Sequence, residues 1–444
     1  MKEYRRALEE YGAAITLDPR NGELLRGRAG VHLAMAHHLM ARGGDPQGCF
    51  VSAVEDLDGA LSAGARPSRI HQMRCMMLVR RGQAEPARAA EFFDLAIEAG
   101  NEAVRVAPKD ELSWIERGHA RYQRGLSTGR AGDTDDAIAD FTEALALAPE
   151  APDALAYRGS ALVMRGIARR KAGGDPTEDY EAAARDCTES IRLDSRREDP
   201  WSSRARARGN LASYRQSKGD EAAALSDDAV EDFTEAIRLN PRVAGYWHHR
   251  GNVRARRADF LLQRREDPRE LLRLAAADYT ESLARARSDA VLLDRAKAHS
   301  RIGDVSLAKG EDCVEYSRAL ADYHEVMKRG TAAVEVYTSA GRVAMACAGG
   351  RAKRGEDPFP ALSAAVSSWN AAIERWPSNG VLIAERGNAW FATAQLKQER
   401  GKPAATEYRQ AMKDFTEGAK LDPRLKVDEG VRRCREYLEA HPDE

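Results

Sequence analysis

The sequence predicts an all-α solenoid of antiparallel helix pairs, and three periodic features predict it. The first is an acidic-aromatic phrase that reads Asp140-Phe141-Thr142-Glu143-Ala144, Asp232-Phe233-Thr234-Glu235-Ala236 and Asp414-Phe415-Thr416-Glu417-Gly418. Weaker copies begin at Asp186, Asp278, Asp322 and Ser368, so successive starts lie 46, 46, 46, 44, 46 and 46 residues apart. The second is a phrase of nearly the same period: an aromatic, Leu or Ile, then Arg three residues on, then Gly or Ala. It appears as Trp114, Arg117, Gly118; Trp201, Arg204, Ala205; Trp247, Arg250, Gly251; Leu292, Arg295, Ala296; and Ile383, Arg386, Gly387. The third is a breaker cluster between the two phrases, seen at Gly43-Gly44-Asp45-Pro46, Gly173-Gly174-Asp175-Pro176, Glu266-Asp267-Pro268 and Gly355-Glu356-Asp357-Pro358.

Both phrases set apolar or small residues three and four apart, which places them on one face of an α-helix. Two phrases per period mean two helices, helix A with the Arg-Gly phrase and helix B with the acidic-aromatic one. Between them Gly is expected to end helix A in a left-handed conformation, Asp to cap the next helix, and Pro to take its first position, where the missing N–H costs nothing. After helix B a Pro recurs at Pro19, Pro108, Pro149, Pro241, Pro377 and Pro423 and turns the chain toward the next pair. Gly118, Gly159, Gly251 and Gly387 fall mid-helix, where each costs about 1 kcal/mol relative to Ala, so their recurrence predicts close approach of a neighbouring helix. Phe141, Phe233, Tyr279 and Phe415 are expected to fill the gap between one pair and the next, which makes stability a nearest-neighbour sum.

The ends differ from the middle. Tyr4 to Pro19 matches helix B alone, with Ala7, Tyr11, Ala14 and Pro19 in register, so residues 1–19 read as a partial repeat. The native protein, or a longer reading of its gene, is expected to continue upstream of Met1. Residues 20–423 read as about nine hairpins, with the second and third bounded least sharply. In 424–444 the stretch from Val427 to Ala440 is amphipathic and rich in Arg and Glu, which suits a capping helix over the final pair.

Composition agrees with a helical array: 31% of residues are charged and 6% aromatic, with abundant Ala, Arg, Leu and Glu. A formal charge of −1 gives no overall pull toward nucleic acid or anionic membrane. Cys49, Cys75, Cys187, Cys313, Cys347 and Cys434 are scattered singly, which fits a reducing cytoplasm better than a disulfide scaffold or zinc site. Neither a signal peptide nor an apolar run of the ~18 residues needed to span a membrane is present, so a soluble chain is expected.

At this point the residues resemble a known family. The aromatic of helix A with Gly or Ala four on, followed in helix B by Ala, an aromatic at +4, Ala at +7 and Pro at +12, is similar to the tetratricopeptide repeat. Ala137, Phe141, Ala144, Pro149 and Ala229, Phe233, Ala236, Pro241 carry the second half in full. The resemblance covers essentially the whole chain and implies a right-handed superhelical solenoid whose A helices line the concave surface and B helices the convex one. The family repeat is about 34 residues, whereas this one is 46. Both helices are therefore expected to lengthen to about 18 residues, or about 27 Å, giving a wider superhelix.

A search for chemistry finds none at a unique place. Gly-x-Gly-x-x-Gly and Walker-type phrases are absent. The pairs His37-His38 and His248-His249 point about 100° apart on a helix and are joined by no Cys or acidic cluster, so no metal and no cofactor is expected. The two carboxylates of Asp-Phe-Thr-Glu recur unit after unit, which an active site would not do, and read as a solvated acidic face. Nothing combines a nucleophile, a base and an oxyanion donor, so the chain is read as no enzyme.

Charge is segregated between the helix types. Residues 154–172 carry Arg158, Arg165, Arg169, Arg170 and Lys171 with no acid, against six acids and two arginines in 176–194. The contrast returns in 201–218, with five bases and no acid, against seven acids and one base in 220–240. The plain reading is a set of ion pairs between helices, each worth under about 1 kcal/mol. The resemblance adds a basic groove and an acidic back, with groove positions at His119, Tyr122, Gln123, Arg206, Asn210, Asn252, Arg256, Lys297, Arg301, Arg342 and Asn388. Asn252 and Asn388 follow Arg-Gly and resemble the Asn that clamps peptide carboxylates in some family members, though the full clamp is not matched. The function this implies is a protein-interaction scaffold receiving an extended or helical acidic segment. The runner-up is single-stranded nucleic acid along the basic layer, weakened by the scarcity of groove aromatics beyond Tyr122 and Phe391. A third reading is the regulatory repeat region of a larger enzyme.

Overall fold

The structure, a computed structural model, describes residues 1–312, 314–330 and 332–444; Cys313, one of the scattered cysteines, lies outside the described residues. The chain divides into two compact units. The first, Met1–Asn240, opens with the single helix α1 (Lys2–Leu17). It continues as A/B pairs: α2 (Gly22–Met40) with α3 (Gln47–Ser62), α4 (Pro67–Ala84) with α5 (Ala89–Val106), α6 (Glu111–Thr128) with α7 (Ala131–Leu147), α8 (Pro152–Lys171) with α9 (Thr177–Leu193), and α10 (Glu198–Ser217) with α11 (Ala223–Leu239). The second unit, Pro241–Glu444, holds α12 (Ala244–Gln263) with α13 (Arg269–Arg285), α14 (Asp289–Ala308) with α15 (Val314–Met327), α16 (Val334–Lys353) with α17 (Phe359–Arg375), α18 (Gly380–Glu399) with α19 (Ala405–Leu421), and the last helix α20 (Asp428–Ala440). Within each unit a helix packs on the one before it and the one after it, and among the described residues there is no strand. Each unit is thus an all-α solenoid of helix hairpins.

The breaker clusters work through backbone geometry. Gly43, Gly173 and Gly355 take φ of 70°, 82° and 75°, the left-handed region that spares only glycine a Cβ clash. In the α12–α13 loop Arg265 occupies the same place at φ 62°, the one non-glycine residue in that region among those described. Arg265→Gly is therefore expected to stabilise the second unit by about 0.5–1 kcal/mol, the relief of left-handed strain less the extra entropy of glycine in the unfolded chain. A urea midpoint unchanged or lowered would refute this. The proline placement differs from expectation. Pro46, Pro176, Pro268 and Pro358 stand just before helix B and act as its cap residue, each carbonyl accepting a first-turn N–H at 3.1–3.2 Å. The Asp ahead of each closes the end from outside: Asp45, Asp175, Asp267 and Asp357 accept from the N–H two residues on at 2.9, 2.9, 3.1 and 3.2 Å.

Helix A glycines are where the aromatics of helix B land. A methyl group at Gly118 would lie 2.8 Å from Phe141 Cε1, one at Gly251 2.7 Å from Tyr279 Cε1, and one at Gly387 2.9 Å from Phe415 Cδ1. The same aromatics reach the following helix: Phe141 lies 5.8 Å from the Tyr157 ring, and a methyl at Gly430 would meet Phe415 at 2.7 Å. The elongation has a packing layer of its own, seven residues further out on both helices. Gly82, Gly166 and Gly303 approach Phe93, Tyr180 and Tyr316 so closely that a methyl would sit 2.7, 2.6 and 2.7 Å from each ring. About two added turns per helix therefore bring a second row of the same glycine-aromatic contact.

Candidate functional site

The motif residues are consumed by the fold. Arg158 donates from Nε and Nη2 to both carboxylate oxygens of Asp186 at 2.7 and 2.8 Å, Arg204 to Asp232 at 3.0 and 2.7 Å, and Arg386 to Asp414 at 2.7 and 2.7 Å. Arg28, Arg117, Arg250 and Arg295 fork in the same way onto Asp56, Asp140, Asp278 and Asp322. One turn later in helix A a second guanidinium joins three of them, with Arg121 on Asp140 at 2.8 Å, Arg208 on Asp232 at 2.8 Å and Arg254 on Asp278 at 2.6 Å. The remaining Nη1 reaches the helix B of the preceding pair, as in Arg204 to Thr188 at 3.0 Å, Arg295 to Thr280 at 2.9 Å and Arg386 to Asn370 at 2.8 Å. Trp114 and Trp201 lie over Arg117 and Arg204 at 4.8 and 4.9 Å and donate their indole N–H to the carbonyls of Pro108 and Ser195.

This corrects the reading of Asp-Phe-Thr-Glu as a solvated acidic face. Asp140, Asp232, Asp278 and Asp414 are only 1–2% exposed, while Glu143, Glu281 and Glu417 face water. The aspartate must be ionised to hold two guanidiniums, yet burial pushes Asp140 above the usual carboxylate range against the pull of Arg117 and Arg121. Further arginines of helix A are spent likewise: Arg165 and Arg169 reach Asp179 at 2.8 and 3.1 Å, and Arg215 reaches Glu181 at 3.0 Å. Ion pairing between helices takes up six of the ten basic residues in 154–172 and 201–218.

The eleven groove candidates fall in two sets, five in the first unit and six in the second. In the first, the His119 ring stacks on Tyr157 at 4.7 Å with 5° between planes and shares a 3.1 Å hydrogen bond with Gln123. Burial, with the nearby Arg80 charge, lowers the His119 pKa to about 4, so its ring is neutral at neutral pH. Tyr122 is a core residue at 8% exposure, packed with Ala137, Phe141 and Ala161, and not a surface contact. Arg206 donates to Met164 Sδ at 3.3 Å, and Asn210 is half-buried. In the second unit Asn252 accepts from the Tyr279 hydroxyl at 2.8 Å and pairs with His248 at 3.2 Å, so its amide is committed inside the fold and is not a free carboxylate clamp. Arg301 pairs with Asp259 at 2.8 Å, Arg342 with Glu385 at 3.4 Å and Lys297 with Asp294 at 3.6 Å. Asn388 donates to Glu385 at 3.3 Å, and Arg256 is exposed.

The sequence reading missed a groove in the first unit. A groove of about 630 Å³ is bordered by Arg66 just before α4 and by Arg69, Gln72, Met73 and Met76 on it, and is closed by Glu23 and Arg26 of α2 and by Leu112 and Glu116 of α6. Burial pushes the Glu116 carboxyl up to about 7, against the pull of Arg80. The 3–4 spacing along α4 was the available signal, masked because Cys75 stands where other pairs have Gly or Ala. Elsewhere, no three His, Cys, Asp or Glu side chains among the described residues meet as a metal site, and no described helix is long and apolar enough to cross a membrane.

No protein-family model and no curated protein matches the chain. Solved structures similar to it are tetratricopeptide repeat proteins. One from Parabacteroides merdae is 16% identical with a TM-score of 0.37, covering 71% of this chain and 98% of that one. The C-terminal part of a repeat-containing protein from Cytophaga hutchinsonii is 16% identical with a TM-score of 0.38, over 64% and 92%. YrrB, described as a TPR protein with an unusual peptide-binding site, is 15% identical with a TM-score of 0.30, over 53% and 94%.

Proposed function

We propose that the chain is a non-catalytic scaffold that binds a protein segment along the faces of its A helices. The observation that carries this is the division of labour within each repeat. The motif arginines, aspartates, glycines and aromatics are used up in holding helices together, so the chemistry left to meet a partner lies between successive A helices. There the side chains are half-buried, mixed in polarity and rich in arginine, the setting in which a segment lays apolar anchors and carboxylates. An acidic partner suits those arginines, and the aspartates opposite them keep the layer from acting as a bare polycation for nucleic acid. Cys49, Cys75, Cys187 and Cys434 are buried thiols, which fits a reducing cytoplasm.

Co-purification from the native host tests the reading. Arg256→Glu with Arg301→Glu on one A face, and Arg66→Glu with Arg69→Glu on another, are expected to deplete co-purifying proteins, whereas Glu143→Lys with Glu417→Lys on helix B leaves them unchanged. Recovery of the same partners by every variant sinks it. Single-stranded RNA is expected to give no mobility shift at ordinary salt, and a salt-dependent shift would favour the nucleic-acid reading instead.

A further inference from the structure

We propose that the α4 groove is an anchoring site for a protein segment carrying one bulky apolar side chain beside acidic residues. In this arrangement Arg66 and Arg69 take carboxylate at one end, and Met73 and Met76 receive the apolar side chain next to it. The proposal rests on the scaffold reading above and assigns it a place and a partner chemistry.

The first argument is which arginines lack an acid. In this fold a half-buried guanidinium on an A helix ordinarily holds a carboxylate, as Arg28, Arg117, Arg158 and Arg204 do at 2.5–2.7 Å. At the start of α4 two exposed arginines hold none: among the described residues Arg66 forms no ion pair, and Arg69 meets only the Gln72 amide oxygen at 3.3 Å. Both line the groove. A guanidinium donates in a planar fork that matches a carboxylate, so these two unpaired forks form a complementary end for an acidic residue.

The second argument is the floor. Met73 and Met76 are only partly buried although they pack against the core of α2 and α3. Gly30 of α2 faces Met73, where a methyl would stand 3.8 Å from Met73 Cε. Methionine repacks around an incoming apolar group more readily than a branched residue, and Leu112 extends the same floor. The acids of the groove do not defeat an anionic partner: Glu23 is paired with Arg26 at 2.7 Å, and Glu116, with its pKa up at about 7, is substantially protonated at neutral pH.

The spacing fixes the ligand. Arg69 and Met76 are seven residues apart, about 10 Å along the helix at about 1.5 Å per residue. An extended segment covers that length in about three residues at about 3.3 Å each. The chemical description is therefore an acidic position about three residues from a Met, Leu or Phe side chain.

Random peptides displayed on phage and selected against the full chain test this. The expected consensus is an acidic residue within about three residues of a bulky apolar one. A synthetic consensus peptide should bind about tenfold or more weakly to Arg66→Glu with Arg69→Glu, and to Met73→Ser with Met76→Ser, while Glu143→Lys with Glu417→Lys leaves its affinity unchanged. Arg66 and Arg69 are exposed, so the first variant should keep its helical circular dichroism, and a peptide with Lys replacing the acids should regain affinity for it. A basic consensus, no consensus, equal binding to the Arg66→Glu/Arg69→Glu chain, or displacement by single-stranded RNA each overturns the proposal. Peptides lost only on Lys297→Glu with Arg342→Glu would overturn this site while leaving the scaffold reading in place.

Discussion

Asp232→Ala is expected to lower the stability of the first unit by about 3–4 kcal/mol, although it removes a single small side chain. Asp232 is 2% exposed and holds two guanidiniums, Arg204 at 2.7 Å and Arg208 at 2.8 Å. Removing one partner of a buried pair leaves uncompensated charge in a low dielectric and costs about 3–5 kcal/mol, against about 0–1 kcal/mol for a surface pair. Arg208 is one-quarter exposed, so water recovers part of its solvation and the lower half of that range applies. Asp232→Asn keeps one acceptor oxygen and should cost less. Because the gain from pairing is nearly offset by desolvation, replacing all three groups by apolar side chains of similar shape should restore most of the loss. Urea unfolding by circular dichroism measures the total, and amide exchange in α10 and α11 locates it. Trp201, whose ring lies 4.9 Å from Arg204, adds a local fluorescence signal. A loss under about 1 kcal/mol would mean that the Arg-Asp staple is an exposed contact in solution, and the account of the repeat motif would fail with it.

The parts legible in the sequence were those written in its short-range periodicity. Glycine and aromatic positions repeat at helical spacing, so the hairpins and the close approach at Gly118, Gly251 and Gly387 could be read directly. The role of the aspartate could not, although both halves of the staple were visible as separate phrases. What joins Arg204 to Asp232 is an offset of 28 residues, which carries meaning only once the two helices are known to lie antiparallel at a given register. The same holds between successive A helices, where Arg301 meets Asp259, Arg342 meets Glu385 and His248 meets Asp294 at offsets of 42, 43 and 46 residues, about one period. Residues expected to greet a ligand are thus partly spent on the next repeat. The α4 face escaped notice for the opposite reason: its pair departs from the consensus, and departure from consensus is where a repeat array has room for something other than stacking.

Gly251→Val should destabilise the second unit by about 3 kcal/mol, whereas Gly349→Ala in the same unit should stabilise it by about 1 kcal/mol, so that space alone reverses the sign. Both glycines are helical, and helix propensity favours Ala over Gly by about 1 kcal/mol where nothing interferes. At Gly349 nothing stands within 4 Å of a new methyl, and the gain is kept. At Gly251 the methyl meets Tyr279 Cε1 at 2.7 Å, Cδ1 at 3.0 Å and the Ala275 carbonyl at 3.2 Å. The ring has nowhere to go, being 1% exposed and tied by its hydroxyl to Asn252 at 2.8 Å. α12 and α13 must then separate, which also stretches the neighbouring Arg250-Asp278 bridge of 2.7 Å. Overpacking typically costs about 1–3 kcal/mol, and the second methyl of Val with the strained bridge puts this site at the upper end. Shortening the ring partner tests the mechanism: Gly251→Val combined with Tyr279→Leu should cost less than the sum of the two single changes, a coupling that a double-mutant cycle measures. Additive losses would show that the glycine is there for some reason other than the ring it faces.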